Sequence, residues 1–229
     1  MEFIIIGVTI LIATILLQFI FGYNRKELET IGKDEELDEL AKEYPSNIEM
    51  CREYLKKLKN EKVKIEENKG AEASLYIAVT DKILIADIQN SYTRIQTIAH
   101  ECLHSIQNRK ILLFNFIFSN IYFIYFIVIC ALLVFKILPY KMMFLVILLL
   151  LSMIYYMVRA YLENDAMIKA RYLAKEYMEE KKISSSEEIN KLVAGFDKIN
   201  DVGIKCINYH FFMGIMVRAF IVTTLCLLF

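Results

Sequence analysis

The chain has 229 residues, 27 basic and 27 acidic side chains, and is 57% hydrophobic, with a mean hydropathy of +0.41. That is too apolar for an ordinary water-soluble domain, and the balanced charge, with no basic field, excludes a nucleic-acid surface. The five cysteines, at 51, 102, 130, 206 and 226, are scattered and odd in number, which reads as reduced thiols and not a disulfide framework.

Phe3 to Tyr23 is an uncharged, Ile/Leu-rich run long enough to span a bilayer. Only Met1 and Glu2 precede it, and no small-residue cleavage site follows, so it reads as an anchor and not a cleaved signal. Residues 24 to 44 are charged, with a thin helical stripe of Leu28, Ile31, Leu37, Leu40 and Ala41, and Pro45 interrupts them. Ser46 and Glu49 form a capping box for a helix whose apolar face is Cys51, Tyr54, Leu55 and Leu58.

The hydrophobic period then changes. Residues 62–66 alternate as a half-buried strand does, Asn68-Lys69-Gly70 signals a turn, and 74–79 and 82–86 are two further strands around Thr80-Asp81. This predicts a sheet of about three strands. It directly precedes a helix that Asn90 or Ser91 can cap.

That helix contains His100-Glu101-Cys102-Leu103-His104. Positions i and i+4 share one helix face, so His100 and His104 can ligate one metal ion. Glu101 lies about 100° round the helix, beside that ion, where its carboxylate can act as general base toward a zinc-activated water. Gln107 shares the metal face, as a support for a ligand or a solvated group, while Ile95, Ile98, Ala99, Cys102 and Ile106 form the packing side. Cys102 points about 200° from His100 and reads as core.

Three more apolar runs follow, at 111–135, 142–158 and 209–229, with Pro139 between the first two and Arg218 inside the last. Asn115 and Asn120 are expected to bond between helices. His104 lies about eight residues, roughly 12 Å at helical rise, before the first deeply apolar position, which puts the metal helix at the membrane surface. Segment 23–110 holds fifteen lysines and arginines and 159–208 holds nine, so both polar segments are expected on the cytoplasmic face and both termini outside.

A two-histidine catalytic zinc site commonly takes a carboxylate as its third ligand. Glu163 follows the 111–158 hairpin and returns to the depth of His104, which makes it the candidate; Asp165 is a candidate to orient a ligand imidazole. His210 is an interfacial histidine or an oxyanion donor, with Tyr161 and Tyr172 as further oxyanion candidates. A helix with a capping pattern from Ser185 to Glu188 is expected over 187–200, loosened by Gly195 and Gly203.

These features together resemble the YugP-like neutral zinc metallopeptidases of bacterial membranes, a gluzincin-type group. The resemblance rests on the order of an N-terminal anchor, small sheet, His100-Glu101-x-x-His104 with Ile106-Gln107, two-span hairpin, and Glu163-Asn164-Asp165-Ala166. It covers residues from about 46 to 175 and departs at Leu103, where the family often has a small residue. It implies a bacterial plasma-membrane protein that hydrolyses peptide bonds at the membrane surface.

The expected fold is a mainly α integral membrane protein, with four transmembrane helices and a small zincin-like α+β cytoplasmic domain. Its parts are an anchor (1–23), the domain with the metal helix (24–110), a transmembrane hairpin (111–158), a cytoplasmic helical segment (159–208) and a C-terminal span (209–229). The expected activity is that of a zinc-dependent endopeptidase acting on membrane-proximal polypeptides. The alternative is an inactive zinc-binding membrane protein with a structural or partner-binding role. A metal transporter would need ligands inside the spans, and these candidates sit at their edges.

Overall fold

A computed structural model describes the chain except Tyr23, Lys69 and Glu72, and except the side chains of Arg25, Leu28 and Glu29. The expected end of the first span at Tyr23, the middle of the turn at Lys69, and the place of Leu28 in its stripe therefore lie outside the described residues. The protein is mostly helical, with one three-stranded sheet. It divides into two units: Met1–Tyr23, Phe114–Tyr161 and Lys205–Phe229 form one, and Asn24–Leu113 and Leu162–Ile204 the other.

The first unit is helical. It contains α1 (Glu2–Phe21) and parts of α6 (Arg109–Val134), α7 (Lys141–Lys181) and α8 (Ser186–Leu228), four helices long and apolar enough to cross a membrane. Helix α1 turns most of its Ile and Leu side chains outward, an exterior suited to hydrocarbon and not to water. It runs antiparallel to α8, with Gly7 beside Thr223 and Phe21 beside Phe212. Tyr122, Ile129, Leu145, Leu148 and Val222 pack the interior, where the Tyr122 hydroxyl meets Ser152 Oγ at 2.8 Å. Asn120 donates to the Phe116 carbonyl of its own helix, and among the described residues it makes no bond to another helix, unlike the sequence expectation.

The second unit surrounds the sheet. Residues 24–44 form two helices, α2 (Arg25–Ile31) and α3 (Glu35–Lys42), because Asp34 accepts from the Leu37 amide and starts a new helix. The Ser46–Glu49 capping box opens α4 (Asn47–Lys57), which buries Cys51, Tyr54 and Leu55. Strands β1 (Lys64–Asn68), β2 (Leu75–Ile77) and β3 (Lys82–Ala86) follow, in the order β1-β3-β2, with β1 parallel and β2 antiparallel to β3. Gly70, in the turn after β1, has φ +82°, a conformation that favours glycine. The sheet and α4 pack on α5 (Arg94–Ile106), whose Ile95, Ile98, Ala99 and Cys102 are fully buried.

Both long helices outlast their apolar segments. No glycine or proline interrupts 141–181, and the Asp165–Lys169 pair one turn apart supports the polar half of α7. Gly195 and Gly203 do not loosen α8; they make room. A Cβ at Gly195 would meet Leu37 Cδ1 and Tyr92 Cε2 at 2.9 Å, and one at Gly203 would meet Met167 Cε at 2.8 Å.

Candidate metal centre

Helix α5, which carries the candidate metal residues, is set by anchors at both ends. At its start, neither Asn90 nor Ser91 is the cap. Thr93 holds that position with no side-chain bond to the helix amides, while Ser91 closes the turn before it: its Oγ accepts from the Thr93 amide at 3.3 Å and its carbonyl from the Arg94 amide at 3.1 Å. The Arg94 side chain, fully buried, donates to the carbonyls of Ala41, Tyr44 and Pro45 and to Asn47 Oδ1, all within 3.0 Å. At the other end, Asn60 Nδ2 donates to the Ser105 carbonyl at 3.0 Å, and α5 stops at Ile106. Asn108 Oδ1 accepts from the Lys110 amide and starts α6, so the metal helix and the next helix are separate. Ile106, in the last turn, is 47% exposed and lies off the packing face.

Within α5, His100 and His104 stand one turn apart with their rings nearly perpendicular and their Nε2 atoms 3.0 Å apart. Glu163, from α7, brings Oε2 to 3.5 Å from each of those nitrogens. One ligand atom from each of the three lies within 4.8 Å of the others, so this group could hold a metal ion.

A hydrogen-bond relay defines the state of His104. Gln107 Nε2 donates to the Leu162 carbonyl at 2.9 Å and to Asp165 Oδ2 at 3.1 Å. Both amide hydrogens are thus spent on acceptors, and Oε1 is the atom that faces His104 Nδ1, at 2.8 Å. Nδ1 must then carry the proton and donate, which in the neutral ring leaves the lone pair on Nε2, toward Glu163 and His100. Asp165 does not touch the imidazole; it holds Gln107, while Lys169 holds its other oxygen at 2.6 Å. Burial alone would raise the Asp165 pKa, but Lys169 and Gln107 together bring it below the usual value.

Glu101 is 7% exposed. Its Oε2 accepts from the Tyr76 backbone amide at 2.7 Å. Tyr76 lies on β2, at the edge of the sheet. Desolvation raises the Glu101 pKa, and the neighbouring imidazoles and the Tyr76 amide only partly oppose it. For His104, burial pushes the pKa down, but Glu163, Glu101 and Gln107 outweigh it and the net direction is up.

Cys102 faces away from the histidines, with its sulfur 3.6 Å from Cys51 Sγ in the core, and both are free thiols. Tyr172 is 57% exposed and lies against the Arg171 guanidinium. His210 belongs to the helical unit, where its Nδ1 donates to the Cys206 carbonyl one turn earlier at 2.8 Å. The Tyr76 amide was not foreseeable as a site group, because a backbone N–H carries no residue-type signal. No protein-family model, curated protein or solved structure matches the chain.

Proposed function

We propose that the protein is a zinc-dependent integral-membrane endopeptidase of the YugP-like type, acting on membrane-proximal polypeptides at the cytoplasmic face of a bacterial plasma membrane. The observation that carries this reading is the convergence of two imidazole Nε2 atoms and one carboxylate oxygen, at mutual distances of 3.0, 3.5 and 3.5 Å. Tetrahedral zinc with bonds of about 2.0–2.1 Å places its donors about 3.3 Å apart, so the donor set fits in both chemistry and spacing. His100, His104 and Glu163 would hold the ion, which when bound supplies a Lewis acid that polarises a carbonyl and acidifies water.

The remaining chemistry belongs to the chain. Glu101 is held at one oxygen by the Tyr76 amide, which leaves Oε1 for proton transfer. Its burial and raised pKa suit a group that takes a proton from water and later gives it to the leaving amine. Gln107 keeps the His104 lone pair aimed at the centre of the site. The four apolar helices and the lysines and arginines concentrated in 23–110 and 159–208 support a membrane setting with the site toward the cytoplasm.

The test joins metal content to turnover. Purified wild-type protein and Glu101→Gln should each hold one zinc per chain by elemental analysis, and His100→Ala should lose it. Membrane fractions from cells with Glu101→Gln should accumulate polypeptides that the wild type removes. Zinc bound in both proteins with identical membrane proteomes would overturn the peptidase and leave the inactive zinc-binding module.

A further inference from the structure

The apolar part of α8 contains one charge that its own helical unit does not balance. The inference below rests on the four apolar helices crossing a bilayer. Two landmarks give the depth of Arg218. Lys141 Nζ donates to the Cys226 carbonyl at 3.3 Å, and the Lys136 ammonium lies 5.9 Å from the centre of the Phe229 ring. Both lysines flank the Pro139 turn between α6 and α7, so the C-terminus of α8 ends level with that polar turn. Arg218 is eleven residues before Phe229, about 16 Å at helical rise. Ten residues in the other direction, about 15 Å away, Asn208 accepts from the Tyr156 hydroxyl. Arg218 therefore sits near the middle of a hydrocarbon layer about 30 Å thick. From there an arginine stem does not carry its head to either surface.

The local partners are few. Arg218 NH1 donates to the Gly214 carbonyl at 3.3 Å, and the guanidinium carbon lies 5.2 Å from the Tyr122 ring centre. A guanidinium has five N–H donors and a full charge; among the described residues, no carboxylate pairs with this one. The helical unit has a single acidic side chain, Glu2, at the start of α1. Since α1 and α8 run antiparallel, Glu2 lies near the C-terminal end of α8, away from the depth of Arg218. A second copy of the chain would bring another arginine to this depth, and a lipid phosphate does not reach it. Gly214, one turn earlier on the same face, leaves room for the Arg218 guanidinium, which a Cβ there would meet at 3.4 Å, and Val217 and Ile221 beside it are exposed.

We propose that this face of α8 docks a transmembrane helix of another protein, one that carries an aspartate or glutamate near the middle of its span, with Arg218 as the counter-charge. An ion pair between buried helices removes two costly isolated charges at once, and the low dielectric strengthens it.

The probe is a labelled polyleucine transmembrane peptide with one central glutamate, compared with the same peptide carrying glutamine. Energy transfer is measured to full-length protein reconstituted in phosphatidylcholine vesicles. The glutamate peptide should bind about tenfold more tightly than the glutamine peptide. Arg218→Leu should abolish the difference, with Arg218→Gln as the second neutral variant should the first not insert. Arg218→Glu should transfer the preference to a peptide with a central lysine. Equal binding of the two peptides to the wild type, or a preference that survives loss of the arginine, overturns the proposal. Vesicle flotation separates the two readings: protein that does not float overturns both this docking and the membrane assignment, whereas protein that floats without peptide preference overturns the docking alone.

Discussion

His104 Nδ1 and Gln107 Oε1 lie 2.8 Å apart across the end of α5, and this contact decides which imidazole nitrogen is free for a metal. Gln107 is itself held from α7, by the Leu162 carbonyl and Asp165, the same helix that supplies Glu163. One amide thus ties His104 to the segment bearing Glu163, the other helix's member of the candidate metal group.

Removing that tie should loosen the metal without unfolding the protein. Gln107→Leu keeps the bulk and loses the hydrogen bonds, and zinc affinity should fall by about 10–100-fold, the usual effect of losing the group that orients a metal-binding histidine. Competition with a chromophoric chelator measures it. Unchanged affinity would mean that Gln107 does not act through His104.

The buried carboxylate at 101 should cost the metal-free protein stability. Its pKa is raised in the folded state, chiefly by desolvation, so the folded chain holds this proton to a higher pH than the unfolded chain does. Stability from this group is complete below the ordinary carboxylate pKa and is lost as pH rises through the raised value. Glu101→Gln removes that loss while its side-chain oxygen can still accept from the Tyr76 amide. After chelation, the variant should unfold at a higher temperature than the wild type at neutral pH, with the gap closing in acid. A variant that is less stable at neutral pH would contradict this account.

Arg94 holds the start of the metal helix against the α3–α4 turn through four acceptors. Arg94→Met leaves the Tyr44, Pro45 and Asn47 oxygens without that donor, whereas the Ala41 carbonyl keeps the Tyr44 amide; each unsatisfied oxygen costs about 1–3 kcal/mol, so the total should reach at least about 3 kcal/mol. Denaturant unfolding monitors it, and the zinc binding proposed for α5 should weaken in parallel because that helix loses its anchor.

Gly195 is a packing position, not a flexible one. In Gly195→Ala the new methyl meets Leu37 and Tyr92 at 2.9 Å, and overpacking of this kind costs about 1–3 kcal/mol. Helix propensity alone would make the alanine stabilising by about 1 kcal/mol, so the sign of the change in unfolding free energy separates the two effects.

Much of this protein could be read locally. The i, i+4 spacing of His100 and His104, the Ser46–Glu49 and Ser185–Glu188 capping pairs and the four apolar runs each depend on residues within a few turns of one another, and local geometry follows from local spacing. The change to a strand period at 62–86 is of the same kind, although the parallel pairing of β1 with β3 was not legible in it.

Tertiary structure decided the rest. Glu163 was recognisable as a candidate from its place after the hairpin, but its distance from both imidazoles depends on how α7 packs against α5, 59 residues or more away in sequence. Of the two readings open for Gln107, it takes that of supporting a candidate ligand, and Asp165 meets Gln107 instead of the imidazole, because a side chain's partner depends on where the opposing helix puts its acceptors. The glycines at 195 and 203 looked like weak points in a helix and are close-packed positions, since propensity describes a solvated helix and a Cβ added at either would lie less than 3 Å from a neighbouring side chain. The amide that fixes Glu101 belongs to the backbone, whose chemistry is identical at nearly every residue; only the fold determines which N–H meets the carboxylate.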